Sequence, residues 1–541
     1  MSAPETTPEP LPAPPGEPLP RDPAGLEQVR AARRVLEAIA ADRALLAGLP
    51  MEERVALLRA AGSVARPTLE QVRRESRAVR RDRRAARRRA DQAAIEEAGI
   101  RAAREGPLFV PPPRLALPSP EAAREDELGP ELARPRDCYV CKQPYRRLHP
   151  FYDAMCPPCA ALNYEKRFQS ADLRGRVALV TGARVKIGYH IALKLLRAGA
   201  RVIATTRFPR DAVRRYAAEP DHHGWWDRLQ VVGLDLRHAP SVELFADHLV
   251  ASQARLDVLV NNACQTVRRP PGFYAHLLDL EAQPLAALPP AWAGPLGGWE
   301  ALREGLEAGA RAALPGAPAP EAGGEAAALL GPTLAGARAP GLLDPAGLSQ
   351  LRTAWDGADG FGVFPGGRTD QDEQQVDLRR HNSWRMTLAE VPPWEMLEVQ
   401  LVNAVAPFVL VSRLKPLLLR PRTGQVHVIN VSAMEGSFSR GTKTDRHPHT
   451  NMAKAGLNML TLTSAPDYAR DGIWMNAVDT GWVTDEDPAQ HAARKREELG
   501  FQPPLDVIDG AARVLDPLFE GVLTGVHRWG QFFKDYAPTS W

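Results

Sequence analysis

The stretch Val177-Ala-Leu-Val-Thr-Gly-Ala-Arg-Val-Lys-Ile-Gly-Tyr-His-Ile-Ala-Leu-Lys-Leu-Leu-Arg-Ala-Gly-Ala-Arg-Val-Ile-Ala-Thr205 decides how this chain folds. Val177 to Val180 is a short unbroken apolar run, the pattern of a strand buried on both faces. Thr181 to Gly188 is a turn bounded by glycines. Tyr189 to Ala198 has helical periodicity and stops at Gly199, where a residue free of Cβ closes a helix easily. Arg201 to Thr205 is apolar again. Strand, turn, helix and strand within about thirty residues make a βαβ unit, whose crossover requires the two strands to run parallel.

The alternation continues outward. Leu229 to Leu234 and Leu256 to Val260 read as the third and fourth strands. Further on come a long helix around Asn403, a strand Gln425 to Asn430, a helix Thr450 to Thr463 and a strand Ile473 to Val478, with Gly530 to Tyr536 as a last strand or tail. Elements in this order predict an α/β fold, a Rossmann-type doubly wound parallel sheet, with ligand at the strand C-termini. Between about residues 271 and 378 the order breaks down. Ala, Pro, Gly and Leu dominate Ala282 to Ala346, while Phe273, Tyr274, Trp355 and Phe361 mark the edges. This is an insertion; without its roughly 100 residues, the part after Leu173 has about 270, the size of one α/β domain. The predicted domain is therefore residues 171–541.

Upstream, residues 1–22 are Pro-rich and acidic, the composition of a disordered tail. Residues 23–105 form a helical, Arg-rich region in which Thr68 can cap a helix carrying the run Arg73 to Arg89. With no aromatic side chains between the arginines, that run reads as a solvated helix face, and nucleic acid is not an expected partner. Residues 106–170 hold a linker and then Cys138-Tyr-Val-Cys141, fourteen intervening residues, and Cys156-Pro-Pro-Cys159. Two CxxC pairs at this separation bring four thiolates to one tetrahedral Zn²⁺, and four protein ligands make the site structural. A redox pair is the rival reading, but these loops lack the βαβ setting of a dithiol oxidoreductase. His149, between the pairs, reads as a surface residue.

Composition excludes several classes. The chain has 541 residues, 44% hydrophobic and 25% charged, with a net charge of +3, which is neither collagen-like nor wholly disordered nor strongly polyelectrolyte. Five cysteines are too few for a disulfide framework at this length and fit a reducing, cytoplasmic location. The first residues lack a basic region followed by an apolar one, and no eighteen-residue apolar run is free of charge and proline; neither an export signal nor a membrane helix is expected.

Thr181-Gly182 to Gly188, Asp235, Asn261-Asn262-Ala263, Asn403, Asn430-Val-Ser432 and Lys454 occur in the order of a short-chain dehydrogenase/reductase, which the chain resembles over about residues 173–270 and 380–485. The resemblance implies a dinucleotide cofactor. Gly182, Arg184, Lys186, Ile187 and Gly188 would form the pyrophosphate turn, where backbone amides and a helix N-terminus meet the phosphates; Lys186 stands where the family has its middle glycine. Asp235 and Leu236 match the pair that holds the adenine, and Asn261, Asn262 and Ala263 match the motif beside the ribose, with Cys264 replacing a glycine. After the second strand Arg207 occupies the place of the acidic residue that grips a ribose 2′-OH. A guanidinium suits a 2′-phosphate instead, so NADP(H) is expected in preference to NAD(H), with Arg184 a second phosphate candidate.

The family's catalytic set is Ser, Tyr, Lys and Asn. Here Asn403 and Lys454 match, whereas Thr450 stands four residues before Lys454 in place of tyrosine, and Ala433 stands in place of serine. A threonine hydroxyl is a far weaker acid than a phenol. Three replacements are open: His449 acts as the acid, Ser432 in a shifted register binds the carbonyl, or Asp445, His447 and Glu435 supply different proton chemistry. His447 and His449, flanking Pro448 in a polar loop, nevertheless read first as surface residues. Val478 to Thr484 takes the place of the turn that reaches the nicotinamide carboxamide. The expectation is an NADP(H)-binding oxidoreductase with non-standard acid/base residues, acting on a carbonyl or alcohol of a small molecule. The alternative is a catalytically degenerate dinucleotide-binding scaffold or regulator. A homo-oligomer formed through the helices of Asn403 and Lys454 is expected by resemblance, and no membrane partner.

Overall fold

The structure is a computed structural model that describes residues 23–106, 108, 110–117, 128–312, 339–351, 362–370 and 372–541. The tail 1–22 and, within the insertion, residues 313–338 and 352–361 lie outside the described residues. Two compact units divide the chain, residues 1–88 and 89–541. The first holds α1 (Pro23–Ala41), α2 (Met51–Ala65) and most of α3 (Leu69–Glu96). Thr68 opens α3 with a reciprocal cap: its hydroxyl accepts from the Gln71 amide and its own amide donates to Gln71 Oε1 at 2.7 Å. Leu46 is buried in this unit, while Leu26, Met51, Val64 and Leu69 stay exposed.

The second unit starts at the end of α3 and continues through α4 (Gly99–Glu105), the antiparallel hairpin β1 (Glu131–Asp137) and β2 (Pro144–Arg147), and α5 (Pro157–Phe168). The sequence divides this stretch from the sheet domain; in the structure both lie in one compact unit. Packing explains why. The hairpin region owns few apolar side chains, Leu132, Tyr145, Leu148 and Met155 among them, and Val483, Leu505 and Val507 of the sheet domain complete their core. Arg167, fully buried, donates to Asp506 and Asp509 at 2.7 and 2.8 Å, and Tyr152 donates to Asp509 at 2.5 Å. Lys166 pairs with Asp516.

The sheet is built from β3 (Val177–Thr181), α6 (Lys186–Arg197), β4 (Arg201–Thr206), α7 (Pro209–Ala217), β5 (Leu229–Gly233), α8 (Ala239–Ser252) and β6 (Val258–Asn261). The insertion follows with α9 (Ala275–Glu281), α10 (Ala293–Ala312) and the single turns α11 (Pro340–Leu343) and α12 (Pro345–Leu348). Then α13 (Pro393–Gln400) runs through a π-helical turn, Leu401–Val405, into α14 (Ala406–Leu418). β7 (Val426–Ser432), α15 (Pro448–Arg470), β8 (Ile473–Asp479), α16 (Ala489–Leu499), α17 (Val507–Thr524), β9 (Phe532–Lys534) and β10 (Ala537–Thr539) complete the unit.

The strand order is β5-β4-β3-β6-β7-β8-β9-β10, parallel except at the terminal β9–β10 pair. The chain winds from β3 out to β5 and returns across β3 to β6, so the switch point lies between β3 and β6. This is the fold the sequence predicts. The insertion packs against the outer strand of the sheet. Trp299 of α10 lies over Gly233 on that edge strand, with no room for a side chain at that position, and its indole donates to the Leu342 carbonyl at 3.0 Å. A bare sheet edge is thereby covered. The helical run Pro393–Leu418 is long and apolar enough to cross a membrane by length and composition, and half of its apolar window is buried within the unit, where α14 packs on α8 and the sheet.

Candidate functional site

A cleft of about 860 Å³ opens at the C-terminal ends of β3, β4, β6, β7 and β8. Its floor is the turn between β3 and α6. Gly182 has φ +66°, and a Cβ there would come within 2.8 Å of the Ala263 backbone; at Gly188 a Cβ would collide with the Gly182 carbonyl and the Asn262 amide. Both glycines are therefore steric requirements. The Asn262 side chain donates to the carbonyls of Thr181 and Gly182 at 3.0 and 3.2 Å, and Thr181 Oγ1 accepts from the Asn262 and Ala263 amides at 3.0 Å. Lys186 adopts φ +54°, so the turn keeps a left-handed residue in the place of the family's middle glycine, and its ammonium lies 4.0 Å from Glu486. Ile187 packs toward Gly510 of α17.

At the β4 end, Arg207 lines the cleft and donates to the Tyr274 hydroxyl at 2.7 Å, its guanidinium 4.8 Å from the ring centroid. Among the described residues no carboxylate lies within ion-pair reach of it. Burial alone would raise the Tyr274 phenol, but Arg207, Arg269 and Arg184 outweigh burial and bring it below its ordinary value. Arg184 is committed elsewhere: it is buried, paired with Asp211 at 2.6 Å and bonded to Gln374 at 2.8 Å. Asp235 is held by Arg237 at 2.6 Å, beside Leu236 on the same wall. Asn261 donates to Asn430 at 2.8 Å between β6 and β7 and so serves the sheet.

At the β7 end the expected catalytic residues separate. Lys454 lines the cleft and donates to the Val431 carbonyl at 2.7 Å. Asn403, in the π-helical turn, binds both backbone groups of Gln265, at 2.7 and 3.1 Å, and holds the loop after β6. Thr450 is buried outside the cleft lining, with no hydrogen bond to its hydroxyl. Ser432 is bound to Asn458 at 2.5 Å, and Ala433 lines the cleft without a polar group. His449 is buried on α15, 3.9 Å from Glu395, rather than on the surface. Among the described residues His447 is the one imidazole of the lining; it stacks on Trp384 at 4.0 Å with its Nδ1 3.1 Å from Asn451. Burial pushes its pKa below the usual histidine value. Burial likewise raises Asp479, which accepts from the Met434 and Gly481 amides at 3.0 and 2.5 Å. Tyr139, Tyr274, Gln265 and Trp384 also line the cleft; sequence reasoning gave none of them a site role, because Tyr139 belongs to the cysteine motif and the other three lie outside the dehydrogenase motifs.

The four cysteines converge. The sulfurs of Cys138, Cys141, Cys156 and Cys159 all lie within 4.8 Å of one another, and those of Cys141 and Cys156 are 3.6 Å apart, close to the edge of about 3.8 Å of a tetrahedron with zinc–sulfur bonds. Burial pushes the Cys156 thiol up to about 11 and Cys159 higher still, while the Gln143 amide draws Cys141 down to about 7; a divalent cation would hold all four as thiolates. The residues fit a structural Zn²⁺. His149 is no part of the set: it is buried, and its Nδ1 accepts from the Phe151 amide at 3.0 Å.

A doubly wound parallel sheet with a glycine turn at its switch point and a cleft across its strand ends defines a Rossmann-type protein. Residues 176–276 match the family model of the short chain dehydrogenases. The uncharacterized protein R665 of Acanthamoeba polyphaga mimivirus is 31% identical over 398 residues, 71% of each chain. The Bos taurus dehydrogenase/reductase SDR family member 13 is 37% identical over 118 residues, 21% of this chain and 29% of the relative. Among solved structures, the Pseudomonas aeruginosa RhlG/NADP complex is 18% identical, covering 67% of this chain and 95% of that one, with a TM-score of 0.38. The NADPH-bound carbonyl reductase from chicken fatty liver is 17% identical over 68% and 100%, with a TM-score of 0.38. The chain belongs to the short-chain dehydrogenase/reductase family.

Proposed function

We propose that the chain is an NADP(H)-dependent oxidoreductase that interconverts a carbonyl and an alcohol on a small molecule, with acid/base residues other than the family's tyrosine and serine. The observation that carries this reading is Arg207, a cation at the end of β4 facing the cleft with Tyr274 as its hydrogen-bond partner. A dinucleotide bound with its pyrophosphate on the Gly182–Gly188 turn would be held by Arg207 on the β4 and β5 side and by Lys454 and the turn after β8 at its other half. Hydride transfer is the cofactor's own chemistry, and the protein positions it. The proton partner on this reading is His447, which faces the cleft where Thr450 and Ala433 offer no acid. Low basicity keeps its imidazole neutral at pH 7, so it acts as an acceptor, in the direction of alcohol oxidation.

A second reading, a dinucleotide-binding scaffold, is favoured by the placement of Thr450 outside the cleft lining and by Ala433. Calorimetric titration with NADPH, NADP⁺ and NADH, followed by a screen of alcohols with NADP⁺, tests both. Binding of NADP(H) with turnover supports the oxidoreductase; binding without turnover by any alcohol or carbonyl supports the scaffold; no binding removes both.

A further inference from the structure

Both cysteine loops converge on one turn of the cleft. The turn Thr480 to Thr484 follows β8 and lines the cleft, with β7, β6 and β3 between β8 and β4 in the sheet. From the first loop, Tyr139, between Cys138 and Cys141, accepts the Trp482 amide on its hydroxyl at 2.9 Å. Gly481 has φ +76°, and a Cβ on it would sit 3.1 Å from that hydroxyl. From the second loop the link runs through two side chains. Asn163 of α5 donates to the Cys159 carbonyl at 2.8 Å and accepts from Arg513 at 3.0 Å, and Arg513 donates in turn to the Thr480 carbonyl at 3.4 Å. Tyr139 cannot move apart from its loop. Its amide donates to Ala154 at 2.8 Å, Lys142 bonds its carbonyl, and the Cys156 amide donates to Cys138 Sγ at 3.3 Å. On the inner side the turn is fixed by Asp479, through the Gly481 and Met434 amides.

We infer that metal binding at the four cysteines and dinucleotide binding in the cleft are coupled, with Tyr139 as the positioning residue that transmits metal order to the turn beside the nicotinamide half of the cofactor. The inference rests on the NADP(H) reading above. If the metal fixes the loops, the Trp482 amide and the Thr480 carbonyl are held from both sides, and the turn need not be ordered at the moment the cofactor arrives. Coupling of binding free energies is reciprocal, so the cofactor must tighten the metal by the same factor as the metal tightens the cofactor. It should also be confined to the half of the cofactor that meets the turn. The adenosine half binds against β4, β5 and Arg207, which neither cysteine loop touches.

The test uses the full-length, zinc-loaded protein, titrated with NADPH and separately with 2′,5′-ADP, which carries the adenosine half alone. Tyr139→Phe keeps the ring and all four cysteines and deletes the acceptor of the Trp482 amide. The expected result is unchanged zinc content, unchanged 2′,5′-ADP affinity and NADPH binding weakened about fivefold, the range of one hydrogen bond. In a second measurement, zinc affinity is read by competition with a chelating indicator, with and without saturating NADPH. NADPH should tighten zinc in the wild type and do so less in Tyr139→Phe. An unchanged ratio of NADPH to 2′,5′-ADP affinity in Tyr139→Phe, or zinc affinity indifferent to NADPH in the wild type, overturns the coupling while leaving the cofactor reading intact. Failure of the wild type to bind either nucleotide overturns the cofactor reading itself, and the coupling with it.

Discussion

Arg207 and Tyr274 join the end of β4 to the insertion: the guanidinium donates to the phenol at 2.7 Å and lies 4.8 Å from its ring centroid. A residue that the family pattern places is thus oriented by a segment outside that pattern. Phe208 packs against the same ring, tilted at 34° with the centroids 4.9 Å apart, so Tyr274 of the insertion braces the arginine that lines the cleft.

Removing this cation should separate the two cofactors. Charge-assisted hydrogen bonds to phosphate contribute about 1.5–3 kcal/mol, so Arg207→Ala is expected to weaken NADPH roughly 10- to 100-fold and leave NADH little changed. Tyr274→Phe, which keeps the ring and loses the hydroxyl, should give a smaller loss in the same direction. Calorimetry on both variants measures this; equal losses for NADPH and NADH would place Arg207 outside the 2′-phosphate site.

The glycine turn makes a sterically graded prediction. Gly188→Ala drives a methyl group into the Gly182 carbonyl and Asn262, and the backbone must move, at a cost of about 1–3 kcal/mol. Cofactor binding should be lost with it. Gly294→Ala, where an added Cβ meets nothing within 4 Å, should leave stability within about 0.5 kcal/mol. Urea unfolding of the two variants beside an NADPH titration separates a global defect from a local one.

Much of the sheet was legible because short, largely apolar runs such as Val177–Val180 and Ile473–Val478 sit between turn residues, and their length and flanking glycines favour a buried strand over a helix. Gly182 and Gly188 were legible for the same local reason. The fate of Arg184 was not: its partner Asp211 lies on α7 and Gln374 lies in the insertion, and no spacing in the sequence announces either contact. Thr450 shows the limit from the other side. Its helical offset from Lys454 was read correctly, yet the shorter side chain is buried outside the cleft lining, and His447, off the motif by three residues, faces the cleft. Burial of Arg167 between Asp506 and Asp509 ties the cysteine region to α17, and no boundary read from proline content foretells it.

That buried network is a stability prediction. Arg167→Met leaves two carboxylates without their cation in a closed interior, and breaking a buried pair by removing one partner costs about 3–5 kcal/mol. A lowered urea midpoint is expected, with the cysteine region and the sheet domain unfolding in one transition. Separate transitions for the cysteine region and the sheet domain in the wild type would contradict the single unit 89–541.

The helices of Asn403 and Lys454 carry an apolar exterior. Phe408, Met452, Met459 and Leu462 stand exposed on α14 and α15, more large apolar surface than an isolated helix pair keeps in water without a partner. A homodimer through this face is the expected state in solution. Light scattering should give twice the chain mass for the wild type and the single mass for Phe408→Glu; a wild-type monomer would refute it.

The pH dependence of turnover follows from His447. Burial sets its pKa below the usual value of about 6.5, so the imidazole is neutral at pH 7 and is protonated only as the solution is acidified. A base must be unprotonated to accept the alcohol proton. On this reading kcat/KM for alcohol oxidation is flat at neutral pH and falls as pH drops through a pKa below about 6.5, whereas a free tyrosine phenolate would instead require alkaline pH. His447→Phe keeps the stack on Trp384 and removes both ring nitrogens; it should lower kcat by about 10²- to 10⁴-fold while NADP⁺ affinity holds. Glu435 and Arg440 bear on the same imidazole with opposite sign, so Glu435→Gln should move the acidic limb to still lower pH. An acidic limb that persists unchanged in His447→Phe would assign the proton to another group.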